Sequence, residues 1–117
     1  MSSRKFIENV DLAAEFLSLL GNSKRLVIMS HLLEGELSVG AIAEKVALSQ
    51  SALSQHLAKL RSSHLVQTRR DRQMIYYSCN SEAVRQLLEA LEEIYGSRDA
   101  RLNRANGENR AAERSVS

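Results

Sequence analysis

Two serines, Ser38 and Ser49, each precede a run whose apolar residues recur at helical spacing, and only Ala47 and Leu48 separate the first run from the second serine. The first run sets Val39, Ile42, Ala43 and Val46 on one side; the second sets Leu53, Leu57 and Leu60 at steps of four and three. Serine is a preferred N-cap, because its hydroxyl accepts from the N–H groups that a first helical turn leaves unsatisfied. Two short helices joined by so short a turn form a helix-turn-helix. Many such turns use Gly where this chain has Ala47. If that position needs a positive φ, Ala strains it by about 1 kcal/mol.

The second helix, from the cap Ser49 through Arg61, contains no acid. Opposite its leucine stripe it carries Gln50, Ser51, Ser54, Gln55 and Lys59. An ordinary solvated helix of this length, the bland alternative, would show more Glu and Lys as i,i+4 pairs. Amides can pair with adenine edges, hydroxyls with several bases and a cation with the backbone, so this face suits a DNA major groove. Gln50, Ser51, Ser54 and Gln55 are the expected base-reading residues. Ser49 and His56 are expected near phosphates, with helix capping as the competing reading for Ser49.

What surrounds this helix supports that reading. Net charge is only +2, but residues 49–73 set Lys59, Arg61, Arg69, Arg70 and Arg72 against Asp71 alone, a local balance of +4. Residues 8–48 and 80–96 each balance at −3. A basic block between acidic segments is an electrostatic footprint for a polyanion rather than a uniformly sticky surface. After the helix the period changes. Leu65–Arg70 and Met74–Cys79 are rich in β-branched and aromatic residues, and Asp71-Arg72-Gln73 lies between them as a turn. The expectation is a β-hairpin with a basic tip, a wing, whose Arg69, Arg70 and Arg72 contact backbone or minor groove together with Lys59 and Arg61 of the helix.

Upstream, residues 6–20 predict one amphipathic helix (Phe6, Val10, Ala13, Phe16, Leu17, Leu20), with Gly21 as its C′ residue. Asn22 or Ser23 caps a second, with Leu26, Val27, Met29, Leu32 and Leu33 on its apolar face and Gly35 at its end. Downstream, Asn80 or Ser81 caps a last helix carrying Val84, Leu87, Leu88, Leu91, Ile94 and Tyr95, and Gly96 closes it. The expected fold is mainly α with a small β-hairpin, in the order α-α-α-α-β-β-α: a winged helix-turn-helix over residues 1–96. Its first and last helices are more apolar than the core requires, which predicts a homodimer through Val10, Ala13, Phe16, Leu17, Leu88, Leu91 and Tyr95. Two recognition helices about 34 Å apart can then read a palindrome. Residues 97–117 are too polar to offset their ordering entropy, and a disordered tail is expected there.

The runs Glu36–Ala43, Leu48–Leu57, Thr68-Arg69-Arg70 and Ile75-Tyr76-Tyr77 together resemble the ArsR/SmtB family of bacterial winged-helix regulators. Within the family they resemble the branch that holds the nodulation and haemolysin regulators. The resemblance covers about residues 10–96 and implies a dimeric repressor of double-stranded DNA that occludes a promoter. The family's sensing sites do not carry over. Where metal-responsive members place a Cys-x-Cys-type pair, this chain has Ser38-Val39-Gly40. Residues 81–95 hold neither the Asp nor the His through which other members bind zinc, and the two positions matching thiol-switch cysteines are Ala43 and Gly96. No metal, dithiol or other cofactor is therefore implied, and a small-molecule effector at the dimer interface stays an open possibility.

Other residues point to less. Lys24 and Arg25 open a helix whose dipole they oppose, which suggests either an ion pair within the dimer or a phosphate contact. His31 and His64 are isolated, and Cys79, the one cysteine, reads as a small buried hydrophobe. No nucleophile–base pairing or Gly-rich phosphate loop indicates an enzyme. No stretch has the length of a transmembrane span, and a reducing cytoplasm is the expected compartment. The rival function is a winged-helix protein-interaction module that has lost DNA binding. Such drift should admit acids into residues 49–70, and none are there.

Overall fold

Asn22 shows how closely local chemistry sets the boundaries in the computed structural model, which describes residues 3–96. Its side-chain oxygen accepts from the backbone N–H groups of both Lys24 and Arg25, and a helix begins at the next residue. The elements run α1 (Ser3–Glu8), α2 (Val10–Leu20), α3 (Ser23–Glu34), β1 (Leu37–Ser38), α4 (Val39–Val46), α5 (Gln50–Ser62), β2 (Gln67–Asp71), β3 (Met74–Ser78) and α6 (Glu82–Tyr95). The expected order is present, with a short helix added in front and a short strand added before α4. The chain divides into two units, residues 1–81 and the segment from Glu82 onward.

The single helix expected over residues 6–20 is broken at Asn9. The Asn9 side chain donates to the Lys5 carbonyl, a local bond that competes with helix continuation, and its backbone N–H bonds Phe6. Gly21 is not a left-handed C′ residue either: its φ is −76° and its ψ 54°, and the Asn22 N–H donates to the Leu20 carbonyl. That is an inverse γ-turn, which needs no positive φ. Ser38 and Ser49 cap α4 and α5 as expected, accepting from Ala41 and Ala52 at 3.2 Å. Ala47 does adopt the left-handed conformation, with φ 53° and ψ 50°. Lys24 reaches across to donate to the Val46 carbonyl at the end of α4, a position where the helix dipole welcomes a cation.

The hairpin is shorter and shifted from its sequence-predicted bounds. Asp71 is the last residue of β2 and pairs with Met74, so only Arg72-Gln73 forms the turn. β1 completes a three-stranded antiparallel sheet in the order β1-β3-β2, with Leu37 opposite Tyr77 and Ser38 opposite Tyr76. The core of the first unit is built from Leu20, Ile28, Met29, Leu32, Ile42, Val46, Leu53, Leu57, Leu60, Val66, Tyr77 and Cys79. It holds all three leucines of the α5 stripe, which is why that helix can present only its polar side outward. α6 is separately an amphipathic helix: Val84 is buried, Leu87, Leu88 and Leu91 are half-buried, and Ile94 and Tyr95 are exposed. Its last turn is closed by the Gly96 N–H on the Glu92 carbonyl. The tail expected from Ser97 onward lies outside the described residues.

Candidate nucleic-acid interface

α5 is anchored through Leu53, Leu57 and Leu60, so its first two turns project Gln50, Ser51, Ser54 and Gln55 into solvent. Among the described residues, the side chains of Gln50, Ser54 and Gln55 have no hydrogen-bond partner. Ser51 lies 3.4 Å from the Ser49 hydroxyl. Nothing in the fold uses the amides of Gln50 and Gln55, which leaves both their donors and acceptors free for base edges. Ser49 is the N-cap, so its oxygen is engaged by Ala52 while its O–H can still donate. Both readings of Ser49 are therefore compatible with one geometry.

Beyond these turns, Lys59 and Arg61 are exposed and His56 is half-buried. Burial holds the His56 imidazole below its usual pKa, and the nearby positive charges of Arg25 and Lys59 act in the same direction. Arg61 and Ser54 share a groove with the wing. It is about 580 Å³, and Val39, Leu57, Ala58, Ser62, Ile75 and Tyr77 complete it.

The three wing arginines differ in their surroundings. In an antiparallel pair directly opposed residues share a face, and successive residues alternate. Arg70 opposes Ile75, so it shares the face that borders the α5 groove. Arg69 opposes Tyr76 on the other face. There its guanidinium lies 4.7 Å from the Tyr76 ring centroid and makes a two-point contact with Glu36, at 2.7 and 3.0 Å. This paired geometry lowers the Glu36 pKa and raises that of Arg69. At the tip Arg70 Nε donates to the Arg72 carbonyl, and Arg72 has φ 59° at the first position of the two-residue turn. The structure thus brings Arg70 and Arg72 together at the tip and ties Arg69 to the loop before β1. Glu36 was not recognisable from the sequence as part of the wing, since only the pairing of β1 with β3 brings it there.

Of the residues expected to form a dimer interface, Val10, Leu17 and Tyr95 are exposed, while Ala13, Phe16, Leu88 and Leu91 are half-buried. Ile7 and Leu12, which fall off the sequence-predicted stripe, are also exposed, each at 65%. Among the described residues no three of His, Cys, Asp and Glu come together as a metal site. No helix there is long and apolar enough to cross a membrane.

Comparison with known proteins agrees with this geometry. The family model described as bacterial regulatory protein, arsR family, matches residues 22–68, the stretch from the cap of α3 into β2. The nodulation protein NolR of Rhizobium meliloti is 58% identical over 89 residues, covering 76% of this chain and 73% of that protein. The crystal structure of NolR from Sinorhizobium fredii superposes with a TM-score of 0.74 at 56% identity, covering 83% of this chain and 96% of that one. The transcriptional activator HlyU of Vibrio cholerae is 41% identical over 81% of this chain and 88% of its own length. A homodimeric winged helix-turn-helix DNA-binding domain from Mycobacterium bovis matches with a TM-score of 0.65 at 31% identity, over 80% of this chain and 86% of that one. With its capped helix-turn-helix, its wing and relatives at this level of identity, the chain belongs to the arsR family of bacterial regulatory proteins.

Proposed function

We propose that this chain is a homodimeric, sequence-specific DNA-binding regulator of transcription that represses by occupying a two-fold-related promoter site. The single observation that carries the reading is the outer face of α5: acid-free, exposed and with its amides unpartnered, beside a wing with a basic tip. Gln50, Ser51, Ser54 and Gln55 read base edges in the major groove. Ser49, His56, Lys59 and Arg61 meet the backbone alongside, and Arg70 and Arg72 reach it from the wing. Arg69 contributes by holding the wing in place against Glu36 and Tyr76.

Dimerisation supplies the second half-site. The exposed apolar residues of α2 support it, and the Mycobacterium bovis relative is homodimeric. Val10, Ala13, Phe16, Leu17, Leu88, Leu91 and Tyr95 form the contact. The protein acts in the cytoplasm, without catalysis and without a resident cofactor.

Selection of binding sequences from a random duplex pool at physiological salt tests this. Enrichment of a two-fold-related site with half-sites about one helical turn apart is the expected result. Recovery of unenriched DNA with a steep salt dependence would leave only electrostatic, non-specific binding. No recovery would point instead to a protein-interaction module.

A further inference from the structure

The flank of α5 turned away from the wing carries a second cationic surface. A cleft of about 390 Å³ is bounded there by Glu15, Ser18 and Leu19 of α2, Arg25 of α3, and Lys59 and Ser63 at the end of α5. His56 precedes Lys59 by three residues, so the two stack on one flank of the helix. Both Arg25 and Lys59 act on its imidazole electrostatically. The Nε of Arg25 is fully buried and has no hydrogen-bond partner among the described residues. Such a donor costs free energy that an acceptor would recover. The ion pairs among the described residues are Arg69–Glu36 and Arg85–Glu82, so Glu15 borders the cleft without pairing with either cation. Arg25 and Lys59 thus line the cleft beside the base-reading helix, His56 lies within reach of both charges, and no carboxylate pairs with either cation among the described residues.

We propose that Arg25, His56 and Lys59 together hold one backbone phosphate of bound DNA, and that His56 takes up a proton from solvent when they do. The proposal rests on the DNA-binding reading and extends it with a site and a proton linkage. Arg25 and Lys59 supply the cationic side of the lining, which is what a phosphodiester needs. Its place on α5 suits a phosphate at the edge of the groove that the same helix enters. In the free protein the charges acting on His56 are those of Arg25 and Lys59, which favour the neutral imidazole, while Glu15 borders the same cleft as those two cations. A phosphate seated between them reverses that balance and favours the imidazolium. The complex then binds more protons than the free protein, so affinity rises as pH falls through the window between the bound and free pKa values of His56. Above the bound value the effect vanishes.

Two measurements test this. The first is affinity for the selected duplex between pH 5.5 and 8 at constant ionic strength. The wild type is expected to tighten on acidification by up to tenfold per pH unit, the limit for one proton. His56→Gln should lose that dependence, while any contribution of His31 and His64 stays common to both proteins. Lys59→Gln should reduce the slope of log K against log salt by about one. The second, which needs no variant, follows the His56 imidazole by NMR titration in the free protein, with the duplex, and with 10 mM inorganic phosphate. DNA should raise its midpoint and inorganic phosphate should not. Overlapping pH profiles for wild type and His56→Gln, or a midpoint unmoved by DNA, would overturn the proposal while leaving DNA binding intact. A midpoint raised as far by inorganic phosphate would reassign the cleft to free anions. Failure to bind any duplex at any pH would overturn this proposal and the functional reading together.

Discussion

Replacing Ala47 by glycine should stabilise the protein, although most substitutions destabilise. Ala47 occupies the left-handed region, its N–H donating to the Ala43 carbonyl, and the Leu48 N–H reaches the same oxygen at 3.3 Å. An L-residue there crowds its Cβ against the following carbonyl, at a cost of about 1–2 kcal/mol that glycine avoids. The Ala47 side chain is exposed, so removing its methyl forfeits no packing. Against this, glycine loosens the unfolded chain by about 0.4–1 kcal/mol. The balance is a gain of about 0.5–1 kcal/mol, which for a domain of this size raises Tm by about 2–8 °C. Thermal unfolding followed by circular dichroism, at one fixed protein concentration because dimerisation couples to stability, measures it. Ala47→Val provides the opposite control, since a β-branched residue tolerates that conformation least. A lower Tm for Ala47→Gly would refute the strain argument.

Gln55→Ala should weaken binding to the selected site by about 1–3 kcal/mol and leave random-sequence DNA unaffected, because its amide has no structural partner to lose; competition anisotropy with both duplexes measures this. Arg70→Ala and Arg72→Ala should each flatten the salt dependence by about one unit, whereas Arg69→Ala should lower affinity with the slope intact, since its guanidinium is committed to Glu36 and Tyr76. Equal slope changes for all three would mean that Arg69 also reaches phosphate. Leu17→Glu places a charge on the exposed apolar face of α2 and should shift the protein towards monomer in sedimentation velocity, with loss of palindrome binding. Without DNA, the depressed His56 pKa favours the neutral imidazole in the folded state. Its contribution to stability is therefore present above pH 6.5 and lost as pH falls through the folded pKa. Urea midpoints should decline with acid less steeply for His56→Gln than for the wild type.

Where one residue decides a local structure, the sequence was enough. Ser38, Ser49 and Asn22 each cap the helix that follows them, and the Leu53–Leu57–Leu60 stripe is the buried side of α5. Reading failed where the outcome depends on competition or on distant pairing. At Asn9 the hydrophobic period continues through the break, and only the side-chain bond back to Lys5 shows why the helix stops. β1 spans two residues, too few for any alternation to register, and its existence depends on the edge that β3 offers. Without β1 the Glu36–Arg69 contact, which joins positions 33 apart in the chain, is not legible in the sequence either. From the sequence Arg25 is a cation that opposes its helix dipole, open to either an ion pair within the dimer or a phosphate contact. That its Nε is buried, and on which side of α5 it lies, needed the three-dimensional packing.

Ser38 belongs to two elements at once. Its backbone pairs with Tyr76 at the edge of the sheet while its hydroxyl caps α4. The wing is for that reason not a detachable module. A chimera that exchanges wings between relatives must carry Glu36-Leu37-Ser38 along with residues 67–78. A crossover placed after Ser49 would join one parent's hairpin to the other parent's edge strand and its anchoring carboxylate. Recombination between such regulators should therefore succeed at the Gly35 end of α3 and fail inside the helix-turn-helix.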